Sequence, residues 1–401
     1  MRELSLQITN RFDRLNKYLF RKMPNINDNI YILAFIMCVT ANFMWGTMFM
    51  RFHLAGFLNI LTQISVVLLF FKLLIIDRLS WKIFLPAVLS CALVYYISGR
   101  AAGFGLYYSY IFVIGAVNVN LKKVVKAFVI TISLYLAITI ISALVGIIPN
   151  LSYGRTNSEV VRYALGTIYP TDLAARIFYL MLAYAFLKKF KFNIFDYVGC
   201  VLLAVGAYVV TDTRLSVLLM VLLILVVATY KYCVKVMLWM GNKVITALML
   251  LLTAGGILAA YFYTEKNPVF EFLNKLLSGR LYFEHLAFKW YNVPILGQIV
   301  YQNGSGGTDK KVINYFFIDS SFIRVLMMYG VVMFIITMGI IIFLSHRFML
   351  KNCFALEIGL ILVVLSSIID QHLWELSFNL LFLATFSNID YFKEDKLVYR
   401  N

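Results

Sequence analysis

The chain has 401 residues, of which 62% are hydrophobic and only 14% charged, with a mean hydropathy of +0.85. A soluble fold cannot bury that much apolar surface, so the composition excludes a soluble globular protein and implies a polytopic membrane protein. The net charge of +17 would suggest nucleic acid in a soluble chain; here basic joints between membrane spans account for it, and no nucleic-acid partner is expected.

Residues 1–28 are polar and basic, with Arg2, Arg11, Arg14, Lys17, Arg21 and Lys22, and carry no early apolar core. They read as a cytoplasmic amino-terminal tail rather than a cleavable signal. Residues 29–388 then hold twelve apolar runs, at 29–50, 54–76, 79–98, 101–119, 124–148, 167–187, 194–211, 214–230, 244–264, 319–345, 352–369 and 371–388. Each is long enough to cross a hydrocarbon layer of about 30 Å as a helix. The expected fold is all-α, with about twelve transmembrane helices and one large extracytoplasmic loop, 265–318. Residues 389–401 form a second cytoplasmic tail.

With both termini inside, every inner joint is basic, as at Lys122, Lys123 and Lys126 or Lys188, Lys189 and Lys191. The outer side differs in kind. Apart from the large loop, its basic residues are Arg51, Arg100, Arg155, Arg162, Arg176 and Arg214, without a lysine. Topology treats the two residues alike, whereas a guanidinium fork binds phosphate oxygens with two parallel bonds and stays charged in a partly dry site. Snorkelling to headgroups is the competing explanation. It fits a single arginine better than the set. Arg176 and Arg214 stand inside or at the edge of apolar runs, where an unpaired charge is costly and generally functional.

The second outer segment carries Arg155, Glu159, Arg162, Gly166, Pro170 and Asp172. A helix break at Pro170 is tolerated at depth only where backbone lines a cavity or is covered by protein. In the minimal turn Thr211-Asp212-Thr213-Arg214, an Asp212–Arg214 pair closing the turn and a ligand role are both open. The large loop holds Ser278-Gly279-Arg280-Leu281-Tyr282-Phe283-Glu284-His285, with Arg280 and Glu284 spaced to pair along a helix. Leu277, Leu281, Leu286 and Phe288 form an apolar face suited to a membrane surface. The loop ends in a glycine-rich stretch, Asn303-Gly304-Ser305-Gly306-Gly307, expected to be a flexible tip. Asp319 and Arg324 follow at the start of the next run. The last outer turn, Asp370-Gln371-His372-Leu373-Trp374-Glu375, has acids and a histidine without a spacing that marks a site. Cys38, Cys91, Cys200, Cys233 and Cys353 are scattered, so neither a disulfide framework nor a zinc site is expected.

Four of these segments, in order, resemble a known family. Arg162-Tyr163-Ala164-Leu165-Gly166-Thr167-Ile168-Tyr169-Pro170-Thr171-Asp172 is similar to the R-x-x-L-G-x-x-x-P-N segment of bacterial Wzy-type polysaccharide polymerases, members of the O-antigen polymerase and ligase superfamily. Thr211-Asp212-Thr213-Arg214 resembles its S-R-(S/T) element. Ser278-Gly279-Arg280 with Pro294-Ile295-Leu296-Gly297 resembles its S-G-R…P-x-x-G loop, and Asp319-Ser320-Ser321-Phe322 through Gly330 its D-N-x-(Y/F)…G element. Asp172 departs from the family's asparagine. Asp319 stands where the ligases carry histidine, which favours a polymerase.

The resemblance implies a GT-C-like fold and a metal-independent glycosyltransferase, without a cofactor, in the bacterial cytoplasmic membrane. It would join undecaprenyl-pyrophosphate-linked oligosaccharide repeat units into a capsular, exopolysaccharide or O-antigen chain at the outer face of the bilayer. A chain-length regulator and a flippase are the implied protein partners. Arg155, Arg162, Arg176, Arg214 and Arg324 would bind pyrophosphate. Arg280, Glu284, His285 and Asp319 would be catalytic, the choice of proton acceptor among the last three being open. The competing functions are a lipid-linked oligosaccharide flippase and an O-antigen ligase.

Overall fold

A computed structural model describes residues 25–399 except 78, 156–157 and 309–311; it does not describe the side chains of Arg155, Ser158 and Glu159. The expected amino-terminal tail therefore lies almost wholly outside the described residues.

The chain is mainly helical. In order, α1 is Ile26–Trp45, α2 Ala55–Phe71 (prolonged by a π turn at Lys72–Ile76), α3 Trp81–Arg100, α4 Gly105–Gly115 and α5 Leu121–Leu144. A two-stranded antiparallel hairpin follows, β1 Ser152–Arg155 and β2 Ser158–Tyr163, then α6 Pro170–Leu187, α7 Ile194–Thr211, α8 Arg214–Ala228 and α9 Tyr230–Tyr261. The long loop carries α10 Pro268–Leu276 and α11 Arg280–Trp290. After it come α12 Ser321–Arg324, a π turn at Val325–Tyr329, α13 Gly330–Leu350 and α14 Phe354–Ile369. Among the described residues, seven helical segments are long and apolar enough to cross a membrane, and α4, α8 and α14 are shorter apolar helices.

Helices α6 and α14 are buried along most of their length and form the centre of the bundle. Their close approach needs Gly359, where any Cβ would stand 2.3 Å from the Phe186 ring. The peripheral helices instead turn large apolar side chains outward, such as Leu202 and Val209 on α7 and Leu251 on α9. That is the pattern of a bundle in lipid, where the outside is as apolar as the core.

The expected helix over 371–388 does not form. The segment runs through short 3-10 turns at His372–Trp374 and Leu381–Thr385, and Leu376 through Thr385 are all buried. Buried irregular backbone is stable only when its polar groups are satisfied inside the protein. Here Asn379 does so locally: its amide donates to the Leu373 carbonyl at 2.8 Å and its oxygen accepts from the Leu381 N–H at 3.0 Å. The Arg347 guanidinium closes the far end, donating to the carbonyls of Ala384, Thr385 and Ser387.

A second break has a similar remedy. Gly330 has φ of 87°, interrupting the helical path between α12 and α13, and a Cβ there would lie 2.6 Å from the Ile295 carbonyl oxygen. The Pro294–Gly297 stretch of the long loop fills that break: Val331 N–H donates to Pro294 O, Val332 N–H to Ile295 O, and Gln298 N–H to Met328 O. Arg100 fixes the stretch from the other side, donating from Nε to Gly297 O at 3.1 Å. The P-x-x-G element and Gly330 are thus two halves of one backbone joint.

Candidate functional site

Three helices begin at one cavity at the end of the bundle that carries the long loop. Its volume is about 420 Å³, and Pro170, Arg214 and Arg280 on its wall are the first residues of α6, α8 and α11. A helix start presents unpaired N–H groups and the positive end of its dipole. None of the three has a side-chain cap: Tyr169, Thr213 and Gly279 precede them without capping hydrogen bonds. Local sequence explains each start. Pro170 suits the first helical position because its missing N–H has no intrahelical partner to lose. Gly279 takes a left-handed conformation, φ 86°, that releases α11 from α10.

Arg214 is exposed to this cavity. Arg162, from β2, lines it as well and donates from Nε to the Thr211 carbonyl at 2.7 Å, tying the hairpin to the end of α7. Arg280 reaches across three elements. Its Nε lies 3.4 Å from Asp319 and one terminal nitrogen 3.4 Å from Asp370, so the ion pair expected with Glu284 is replaced by two longer-range ones. Burial opposes its charge, but Asp319, Asp370 and Glu284 outweigh burial and hold its pKa above the ordinary value. Burial raises the pKa of Asp319, Arg280 pulls it back down, and Asp370 raises it again. A carboxylate displaced upward in this way is a better proton acceptor.

Three acids face the three arginines here: Asp172, Asp319 and Asp370 all line the cavity. Asp172 Oδ1 is 3.7 Å from Nε2 of the buried His372, whose Nδ1 is 3.3 Å from Glu375. The His372 ring stacks on Phe378 at 3.6 Å between centroids. Behind Phe378 the guanidinium of Arg176 is sandwiched, 4.4 Å from that ring and 4.2 Å from the ring of Phe43. Gly46 provides the room, since a Cβ there would approach Arg176 to 2.5 Å.

The remaining expected site residues stand elsewhere. Arg176 supports the cavity floor through this stack and does not line the cavity. Glu284 is buried behind Arg280, in an apolar groove formed with α9 and α14; burial and Asp319 push its pKa up to about 8. His285 hydrogen-bonds the Ala260 carbonyl at 3.0 Å and packs on Tyr263, at the end of α9. Arg324 donates to Gln302 at 3.0 Å and to Ile318 O at 3.3 Å, and it faces a different cavity. The Arg155 side chain is outside the described ones. Of the nine expected site residues, Arg162, Arg214, Arg280 and Asp319 meet in the cavity.

Two further expectations change. Leu277, Leu281, Leu286 and Phe288 pack with Ala260 and Tyr263 in a small core of their own, not on a membrane surface. The glycine-rich tip is built into the cavity roof. Gly304 and Gly306 lie against Tyr169, where a Cβ would come within 2.6 and 2.8 Å of it, and the Tyr153 hydroxyl donates to Ser305 O at 3.2 Å. The small residues admit a ring.

Asp370 and His372 line the cavity as well, although the spacing in their turn marks no site. The signal was present in the density of titratable groups, since Asp370, His372 and Glu375 fall within six residues of a chain holding only 19 acids and 4 histidines. No family model matches the chain, and no curated protein or solved structure is similar to it.

Proposed function

We propose that this protein is a membrane glycosyltransferase of the polysaccharide-polymerase kind, extending a glycan carried on a polyprenyl pyrophosphate. The observation that carries the proposal is the convergence of three uncapped helix starts, with Arg214 and Arg280 as the first residues of two of them, on one cavity. Such an arrangement suits an anion with many oxygens, and a pyrophosphate has the charge to meet it. The motif order supports the same class. In this proposal the chain passes the bilayer twelve times, the last time through the irregular 371–388 segment, with both termini inside and 265–318 outside.

The acceptor hydroxyl oxygen forms a bond to the donor's anomeric carbon while the bond from that carbon to the pyrophosphate oxygen breaks. The pyrophosphate leaves with the electron pair, and Arg162, Arg214, Arg280 and the helix starts stabilise the added charge, as fixed donors do in an oxyanion hole. The hydroxyl proton passes to a carboxylate facing the cavity. Asp319 fills that role, as Glu284 lies in the apolar groove and His285 against Ala260. Arg280, 3.4 Å away, orients the carboxylate.

A deletion strain tests the proposal. Loss of a polymerase leaves single repeat units on the surface lipid, whereas loss of a flippase traps them inside; trapped units would refute the polymerase assignment. With purified protein, lipid-linked repeat units should polymerise in excess chelator. Activity that vanishes with EDTA and returns with magnesium or manganese would refute the arginine-only mechanism.

A further inference from the structure

A second cavity, of about 480 Å³, lies across the 371–375 turn from the first. Gln371 lines both. Its remaining walls come from other parts of the chain: Trp45 on α1, Asn59 on α2, Tyr108 on α4, Arg324 on α12, and Glu375 from the turn itself. Nothing in the pyrophosphate chemistry above uses these residues.

Their chemistry differs from that of the first cavity. There, three arginines and three helix starts face three acids. Here, one arginine and one glutamate balance each other among amides and rings. Trp45 lines the cavity and is 44% exposed. Asn59 is exposed, and the amide-bearing Asn42 and Gln371 line the cavity with it. Aromatic rings beside planar amides and a carboxylate match one chemical class. A pyranose offers a flat patch of C–H groups to a ring and adjacent hydroxyls to an amide or carboxylate, while the balanced charge gives no pull on a pyrophosphate.

We propose that the second cavity is a carbohydrate subsite that holds sugar units of the acceptor glycan. The assignment to the acceptor rests on the polymerase proposal; the carbohydrate chemistry of the walls stands independently of it. The turn then acts as a partition, with pyrophosphate on one side and glycan on the other. Asp172, His372 and Glu375 run through it from the first cavity to the second.

The test uses the full chain in lipid nanodiscs. The probes are oligosaccharides from partial acid hydrolysis of the producing cell's surface polysaccharide, and inorganic pyrophosphate as a separate ligand. Saturation-transfer NMR and tryptophan fluorescence report binding. Tyr108→Ala and Asn59→Ala should each weaken oligosaccharide binding by about tenfold or more, as truncations at a buried contact do. Tyr108→Phe should retain it within about threefold, since the ring face is kept. Pyrophosphate binding should be unchanged in all three variants and lost in Arg214→Ala. The subsite is refuted if wild type fails to bind the oligosaccharides, if both alanine variants bind them as wild type does, or if pyrophosphate competes them off. The polymerase proposal fails separately: a deletion strain with normal polymer, alongside Tyr108-dependent oligosaccharide binding, would remove the acceptor role and leave the carbohydrate site.

Discussion

The two ends of the bundle treat charge in opposite ways. At the end away from the long loop, the buried and half-buried charges among the described residues are mostly tied into closed sets. Lys72 pairs with Asp77 and donates to Val117 O at 2.8 Å. Asp28 accepts from Lys123 and from the Asn120 N–H, both within 2.8 Å, and Arg347 spends its fork on three carbonyls. Glu357 is the exception, with one oxygen on Ser345 and the other unpartnered. At the loop end, Arg176 leaves two nitrogens without hydrogen-bond partners and Glu284 one oxygen. Closed sets make a structure, whereas buried groups left open cost stability.

That contrast breaks first at Arg280. Arg280→Lys keeps the charge between Asp319 and Asp370 but loses the planar fork, so the protein should insert and fold normally. Polymerisation should fall by roughly ten- to a thousandfold, the cost of removing one transition-state donor. Polymer yield at matched protein levels is the measurement. Near wild-type polymer would mean that Arg280 only neutralises two carboxylates, and the loop end would be as closed as the other.

The sequence made some of this contrast legible. Apolar runs located the helices because a bilayer demands about 20 apolar residues per crossing. They misplaced the last one because an irregular segment wrapped in protein has the same composition as a helix. The run boundary at 214 and the Ser278-Gly279 turn fall at helix starts, a local property, whereas Pro170, read as a break inside the 167–187 run, is the first residue of α6. That the three starts meet depends on contacts between segments far apart in the chain, such as Arg280 with Asp370, 90 residues away. No local pattern encodes it. Gly304 and Gly306 misled for a related reason: small residues signal freedom or close approach equally, and only Tyr169 decides which.

Glu284 gives a pH handle on the open end. Its carboxyl has a pKa of about 8 when folded against 4.5 in its ordinary state, so the folded form holds a proton that the unfolded chain releases. Below pH 4.5 both states are protonated and burial costs nothing. As pH rises from 4.5 to 8, stability falls, and above 8 the full penalty remains. Glu284→Gln cannot ionise, so its stability should pull ahead of wild type through that window, by on the order of 2–4 kcal/mol at pH 9. Melting curves from pH 5 to 9 in detergent check it. Parallel curves for the two proteins would mean that Glu284 is solvated and the groove behind Arg280 is wet.

Arg347→Lys probes the closed end. A lysine ammonium cannot reproduce a fork that serves Ala384, Thr385 and Ser387 together, and each buried carbonyl left unpaired costs about 1–3 kcal/mol. The expected result is a loss of about 1–3 kcal/mol in stability with polymerisation per folded molecule unchanged. A catalytic defect at normal stability would place the irregular 371–388 segment in the reaction and erase the division between the ends.

The smallest effect is expected at Arg176, and it decides whether burial or charge is that residue's purpose. Its guanidinium lies between the rings of Phe43 and Phe378, with Nε and one terminal nitrogen lacking hydrogen bonds. Contact with a ring face stabilises a desolvated cation by about 2 kcal/mol. Bringing that cation out of water costs several kcal/mol, and well-packed apolar replacements for buried ions are often neutral or stabilising. Methionine matches the length and flexibility of the side chain and makes favourable contacts with aromatic rings. Arg176→Met should therefore shift stability by less than about 1 kcal/mol in either direction. It should also lower polymerisation far less than Arg280→Lys, because the Phe378–His372 stack stays supported. Melting temperature and polymer yield, measured side by side, separate the cases. A loss of polymer as deep as that of Arg280→Lys, at unchanged melting temperature, would show that the guanidinium leaves its sandwich to reach the substrate, and would return Arg176 to the anion-binding set.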